Sequence, residues 1–154
     1  MKKLSYLLLL FFSLSLVSCS SDDSSGTNEE ELYLRFTVDG TNYNFDPETI
    51  TSLSRLIEGN QENNSIFTRI SLWMPVTPVV GSHSITDDLP NDDNIDTLYN
   101  ADFWLGDVTY TATTGTFEVT EFNNEYIKGT FSFTGEDENG NTKTISNGTF
   151  RAYR

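Results

Sequence analysis

The chain has one cysteine and one histidine, and each scarcity removes a kind of chemistry. A single thiol, Cys19, cannot form an intramolecular disulfide even in an oxidising compartment. Zinc sites take three or four Cys, His or carboxylate ligands, and this chain is short of the first two. A Ser-His-Asp triad would have to use His83. That residue follows a proline-containing stretch and has no Gly-x-Ser-x-Gly elbow beside it, so it reads as a core or edge histidine. A glycine-rich phosphate loop is also missing. Basic residues are few: 9 Lys and Arg against 23 Asp and Glu, a formal net charge of −14. Such a balance excludes nucleic acid as a partner, because phosphate backbones need clustered cations. It disfavours adsorption to anionic lipid and suits solubility and weak cation binding. Helical periodicity is scarce as well. Residues 48–58 come closest, with Ile50, Leu53, Leu56 and Ile57 spaced for one helix face, but Thr49, Thr51 and Ser52 weaken the pattern.

What is present begins with an address. Lys2 and Lys3 precede an apolar run over residues 4–17, broken only by Ser5, Ser13 and Ser15. A bilayer span needs about 20 such residues, whereas this length suits a signal-peptide core. The run ends in Leu16-Val17-Ser18-Cys19, which resembles a bacterial lipobox. The resemblance implies cleavage before Cys19 and acylation of its thiol, with several chains giving stable anchoring. The next residues, 20–31, contain no apolar side chain and read as an acidic, flexible tether. Within it, Asp22-Asp23 looks like the acidic export signal of surface lipoproteins in Bacteroidota. It implies display on the outer face of the outer membrane; a solvated spacer on a periplasm-facing lipoprotein is the alternative. The expected organisation is therefore a signal peptide over residues 1–18, the lipidated cysteine and tether over 19–31, and one domain over 32–154. Cleavage leaves 7 basic against 23 acidic residues, a net charge of −16.

The body reads as strands. Leu32, Leu34, Phe36 and Val38 alternate with Tyr33, Arg35 and Thr37, and Asp39-Gly40 then signals a hairpin. Ile66, Thr68, Ile70, Leu72 and Met74 share one parity; Phe67, Arg69, Ser71 and Trp73 share the other. Pro75 and Pro78 stop that run, since proline cannot donate to a ladder. Further strands are expected over 82–86, 99–105, 108–112, 116–122, 126–134 and 143–153, with a turn at Asn139-Gly140. Gly-Thr-Phe occurs at 115–117, 129–131 and 148–150, spacings that suit successive antiparallel strands and glycines lying under neighbouring aromatic rings. Some eight to ten short strands predict an all-β fold, a single antiparallel β-sandwich with a small β-barrel as the alternative.

The sequences around those repeats, Gly115-Thr116-Phe117-Glu118-Val119-Thr120, Tyr126-Ile127-Lys128-Gly129-Thr130-Phe131-Ser132-Phe133-Thr134 and Lys143-Thr144-Ile145-Ser146-Asn147-Gly148-Thr149-Phe150, resemble a family of small Bacteroidota lipoproteins built on a domain of unknown function, DUF6252. Pro78-Val79-Val80-Gly81-Ser82-His83-Ser84-Ile85 is similar to that family's proline and Gly-x-aromatic-x-aliphatic stretch, with His83 in place of a tyrosine. The resemblance spans residues 31–154. It implies the fold and the envelope address and carries over no catalytic residue.

Carboxylates are the abundant reactive groups. Asp87, Asp88, Asp92, Asp93 and Asp96, with Asp102 beside them, make an acidic loop. Calcium takes six to eight oxygens from loops of this kind, so it is the one cofactor with a candidate site; an exposed solvated loop is the plainer reading. Asp137-Glu138-Asn139-Gly140-Asn141 reads as a hairpin turn. Trp73 and Trp104 fall on the less apolar parity of their strands and, with Phe67 and Arg69, form a candidate patch for stacking a sugar or docking a protein. Thr97, in Asp96-Thr97-Leu98, is a candidate O-glycosylation acceptor. These features together point to a non-catalytic binding module for a glycan or protein partner. The alternatives are a structural envelope lipoprotein without a small-molecule ligand and, more remotely, a hydrolase using two carboxylates across a cleft.

Overall fold

The computed structural model describes residues 31–154, so Cys19, Asp22 and Asp23 lie outside the described residues. Ten strands run through this region: β1 (Tyr33–Val38), β2 (Thr41–Phe45), β3 (Ile50–Leu53), β4 (Leu56–Asn63), β5 (Ile66–Trp73), β6 (Gly81–Ile85), β7 (Asn100–Leu105), β8 (Val108–Phe122), β9 (Tyr126–Glu136) and β10 (Thr142–Tyr153). Apart from a 3₁₀ turn at Pro47–Thr49, no helix occurs among the described residues. No helix there is long and apolar enough to cross a membrane.

The strands form one antiparallel sheet in the order β2-β1-β10-β9-β8-β7-β5-β4-β3, with β6 paired to β8 beyond the end of β7. The sheet curls until its two margins nearly meet. Ser52 on β3 donates its hydroxyl to the carbonyl of Tyr153 on β10. Arg154 donates to the carbonyls of Ser54 at 3.4 Å and Val76 at 2.7 Å. Side chains rather than a backbone ladder make this seam, so the sheet is a nearly closed barrel whose facing walls also pack as sandwich layers do.

Period-two patterning places the core. On β5 the inward Thr68, Ile70 and Leu72 are buried, whereas Phe67 and Trp73 are exposed. Phe36 of β1 meets Phe103 of β7 edge-on at 5.8 Å and Phe131 of β9 at 6.1 Å, so rings from opposite walls fill the interior. Side chains fill the interior of small barrels in this way.

The Gly-Thr-Phe repeats explain how so many rings fit. Gly129 pairs with Phe150 across β9 and β10, Gly148 with Phe131, and Gly115 of β8 with Phe133. A Cβ on Gly129 would fall 2.0 Å from the Glu118 carbonyl oxygen and 2.8 Å from the Phe150 ring; one on Gly148 would fall 2.5 Å from the Phe131 carbonyl oxygen. Gly129 and Gly148 thus leave room for a ring to lie over the opposing backbone, the arrangement known as aromatic rescue, whereas Gly115 lets the main chain and Cβ of Phe133 approach.

Asp39-Gly40 makes its predicted turn, with both residues at positive φ (47° and 86°) and Lys143 bound to Asp39 at 2.7 Å. Residues 48–58, where the helical spacing was already weak, pass from the 3₁₀ turn into the β3–β4 hairpin. One expectation needed correction. The segments 108–112 and 116–122 are one strand, β8, which crosses Gly115 with a bulge between Ala112 and Thr114.

Candidate functional site

The outer face of β5 and β7 gathers the residues singled out as an aromatic patch, but divides them. Strand register sets Arg69 opposite Trp104, and Trp73 opposite Asn100. The two tryptophans are therefore four residues apart in register, about 13 Å along the strands. The Arg69 guanidinium sits 3.9 Å above the Trp104 ring, a cation–π contact that covers the indole. Glu58 on β4 holds this arrangement: it lies 3.8 Å from Arg69 Nε and accepts a 2.9 Å hydrogen bond from Ser71. Phe67 is exposed two residues above. Trp73, 39% exposed, is the indole that faces solvent.

Trp73 forms one wall of an open groove of about 420 Å³. Its floor is Asn100 and Asp102 of β7 and Thr111 of β8; Arg55, from the β3–β4 turn, closes one end. The opposite wall is the start of the acidic loop, Asp87, Asp88, Leu89 and Pro90. The volume lies in the range of small-ligand sites.

Local chemistry fixes this wall. Asn100 donates its side-chain amide to the carbonyls of Thr86 at 2.6 Å and Asp88 at 3.2 Å, tying the loop to β7. The Thr86 hydroxyl donates to the Asp88 carboxylate at 3.1 Å. Farther along, Asn94 accepts from the Asn91 N–H at 2.8 Å and donates to the Leu89 carbonyl at 3.0 Å. Arg55 donates to the carbonyls of Met74 at 3.1 Å and Ile95 at 2.9 Å, so both ends of the loop are braced. A wall held this way loses little freedom when a ligand arrives.

Other candidates are placed apart from the groove. Asp92, Asp93 and Asp96 lie exposed on the turn beyond Pro90. No group of three or more His, Cys, Asp or Glu side chains converges among the described residues, so the five loop aspartates do not make a shared calcium cage. Thr97 is exposed, with its hydroxyl donating to the Asn94 carbonyl at 3.2 Å. His83 stacks on Tyr99 at 4.2 Å and bonds the Val79 carbonyl at 2.7 Å, an edge histidine as its sequence context suggested. Asp137 caps its own hairpin, accepting from the Asn141 side chain at 2.8 Å and from the main-chain N–H groups of Asn139 and Asn141. These bonds, the Asn141 amide first, hold its carboxyl below the ordinary value of 3.8.

Sequence reasoning reached Trp73, Asp87, Asp88 and Asp102 by two unrelated routes, aromatic parity and acidic clustering. It missed Arg55, Asn100 and Thr111, which come together only through the register of β5, β7 and β8. Fold and groove together define an all-β domain with a packed interior and an aromatic, acidic cleft on its outer face. Family models, curated proteins and solved structures were all compared with the chain, and none matches it.

Proposed function

We propose that this chain is a cell-surface lipoprotein of the outer membrane, acting as a non-catalytic module that binds a glycan over Trp73. The binding half of this reading is carried by one observation: an exposed indole forms the wall of a pre-braced groove whose polar lining is three carboxylates, an amide, a hydroxyl and the Arg55 guanidinium, with Leu89 and Pro90 beside them. A pyranose ring offers an apolar C–H face for such an indole and hydroxyl donors for such acceptors. The Trp104, Arg69 and Phe67 part of the face is secondary, because Arg69 already covers the Trp104 ring.

The address half rests on sequence. Cys19 at the end of the lipobox is the acyl acceptor, and Asp22-Asp23 is the signal for outward export. The family reading, a DUF6252-type lipoprotein, rests on the Gly-Thr-Phe blocks. The halves are tested separately. Radiolabelled fatty acid should enter the wild-type chain and not Cys19→Ala, and protease added to intact cells should degrade the chain; a protected chain would refute surface display alone. In a screen of oligosaccharides, retention by wild-type protein and loss of retention by Trp73→Ala supports the groove. Retention that ignores Trp73→Ala refutes it.

A further inference from the structure

The hydrogen-bonding inventory of the groove is one-sided. Asn100 spends its amide hydrogens on the carbonyls of Thr86 and Asp88, leaving an acceptor oxygen. Arg55 turns its Nε and one Nη to the carbonyls of Met74 and Ile95. Ionised Asp87, Asp88 and Asp102 only accept. The carboxylates of Asp87 and Asp102 form no hydrogen bond or ion pair among the described residues. Three carboxylates and the electron-rich face of Trp73 therefore confront solvent against one guanidinium whose bonds point mainly at the main chain.

From this charge complementarity we infer that the groove selects amino sugars: glycan units with a free ammonium group, in preference to their N-acetylated counterparts. The inference rests on the glycan reading above and narrows it. Protonated hexosamine keeps a flat C–H face for Trp73 and adds a cationic donor for Asp102 and the loop aspartates. N-acetylation removes that charge, leaving the carboxylates without a cationic partner, and adds a carbonyl whose donors would be the remaining Arg55 N–H groups and the Thr111 hydroxyl. A lysine side chain has the charge but only one donor head, so it engages one end of the carboxylate set and leaves the rest of the floor uncovered.

The test is calorimetric titration of the mature, lipidated protein in detergent. The probes are the β-1,4-linked glucosamine tetramer and the N-acetylglucosamine tetramer, at mildly acidic pH, where the glucosamine amine is protonated. The glucosamine tetramer should bind about tenfold more tightly, or about 1.4 kcal/mol, and the ratio should shrink as salt is raised. Asp102→Asn should bring the ratio toward one, whereas Asp107→Asn, in the β7–β8 turn away from the groove, should leave it unchanged. Equal affinity for the two tetramers, or tighter binding of the acetylated one, overturns amine selection while the groove reading survives. Failure of both tetramers to bind overturns amine selection and removes its support from the groove. Binding of tetralysine without binding of the glucosamine tetramer overturns the choice of a sugar.

Discussion

Replacing Gly59 with alanine tests the curl of the sheet, because the closed and open forms predict opposite signs. Gly59 lies on β4, near one margin of the sheet. A Cβ there would fall 2.2 Å from Cδ2 of Phe45 on β2 and 2.7 Å from Cδ2 of Leu34 on β1, both near the other margin. Carbon atoms pack at about 3.5–4.0 Å, so the ring would have to move by more than 1 Å. Phe45 is 1% exposed and Leu34 0%, which leaves no room to move. Overpacking of this kind costs about 1–3 kcal/mol. Alanine recovers about 0.5–1 kcal/mol through its smaller backbone entropy loss in a strand. The net expectation is a loss of roughly 0.5–2 kcal/mol, which lowers the urea midpoint by an amount of order 0.5 M. Adding Phe45→Leu, which removes the colliding ring, should give a favourable coupling of about 0.5 kcal/mol or more. A midpoint that rises in Gly59→Ala, as it would in an open sheet, refutes the closure.

Other substitutions probe the packing and the outer face. Gly129→Ala places its new methyl 2.0 Å from a backbone oxygen, which cannot rotate aside, so the loss should exceed that of Gly59→Ala and reach about 3 kcal/mol by urea unfolding. Arg69→Ala removes the guanidinium above Trp104 and the partner of Glu58; it should cost about 1 kcal/mol and make Trp104 fluorescence more accessible to acrylamide. Asp137 has a folded pKa below its ordinary 3.8, so its stabilisation is complete above that value and is lost as pH falls through the lower folded one. Wild-type protein should lose stability over that acid window more steeply than Asp137→Asn, as read from urea midpoints at successive pH values.

Much of the fold was legible in the sequence because half-buried strands write their burial at period two. β1, β7 and β9 show it most plainly, and Asp39-Gly40 marked its hairpin directly. The β3–β4 hairpin was hidden for a physical reason. The inward row of β4 begins Ile57 and Gly59 and continues to Gln61, so only one large apolar side chain marks the buried face. The volume missing at Gly59 is filled by Phe45 from the other margin, a contact no local pattern can announce. Leu53, Leu56 and Ile57 imitate a helix face because the turn at Ser54 and Arg55 changes the phase of the alternation. β8 looked like two strands because Gly115 interrupts its apolar pattern, yet that glycine is where Phe133 approaches. For the site, parity grouped Trp73 with Phe67 and Arg69 and set Trp104 on the less apolar side of its own strand. It could not reveal that Arg69 would cover Trp104, because that depends on the register of β5 against β7.

The chain has two tryptophans, so its ¹⁵N-correlated spectrum should contain two indole N–H signals, assignable through Trp104→Phe. Titration with the glucosamine tetramer tests the central claim most directly. The account predicts that the Trp73 signal shifts progressively to saturation, while the Trp104 signal, under Arg69, holds still. A titration that moves Trp104 and leaves Trp73 in place, or that moves neither with this tetramer or its N-acetylated counterpart, contradicts the groove as the binding site.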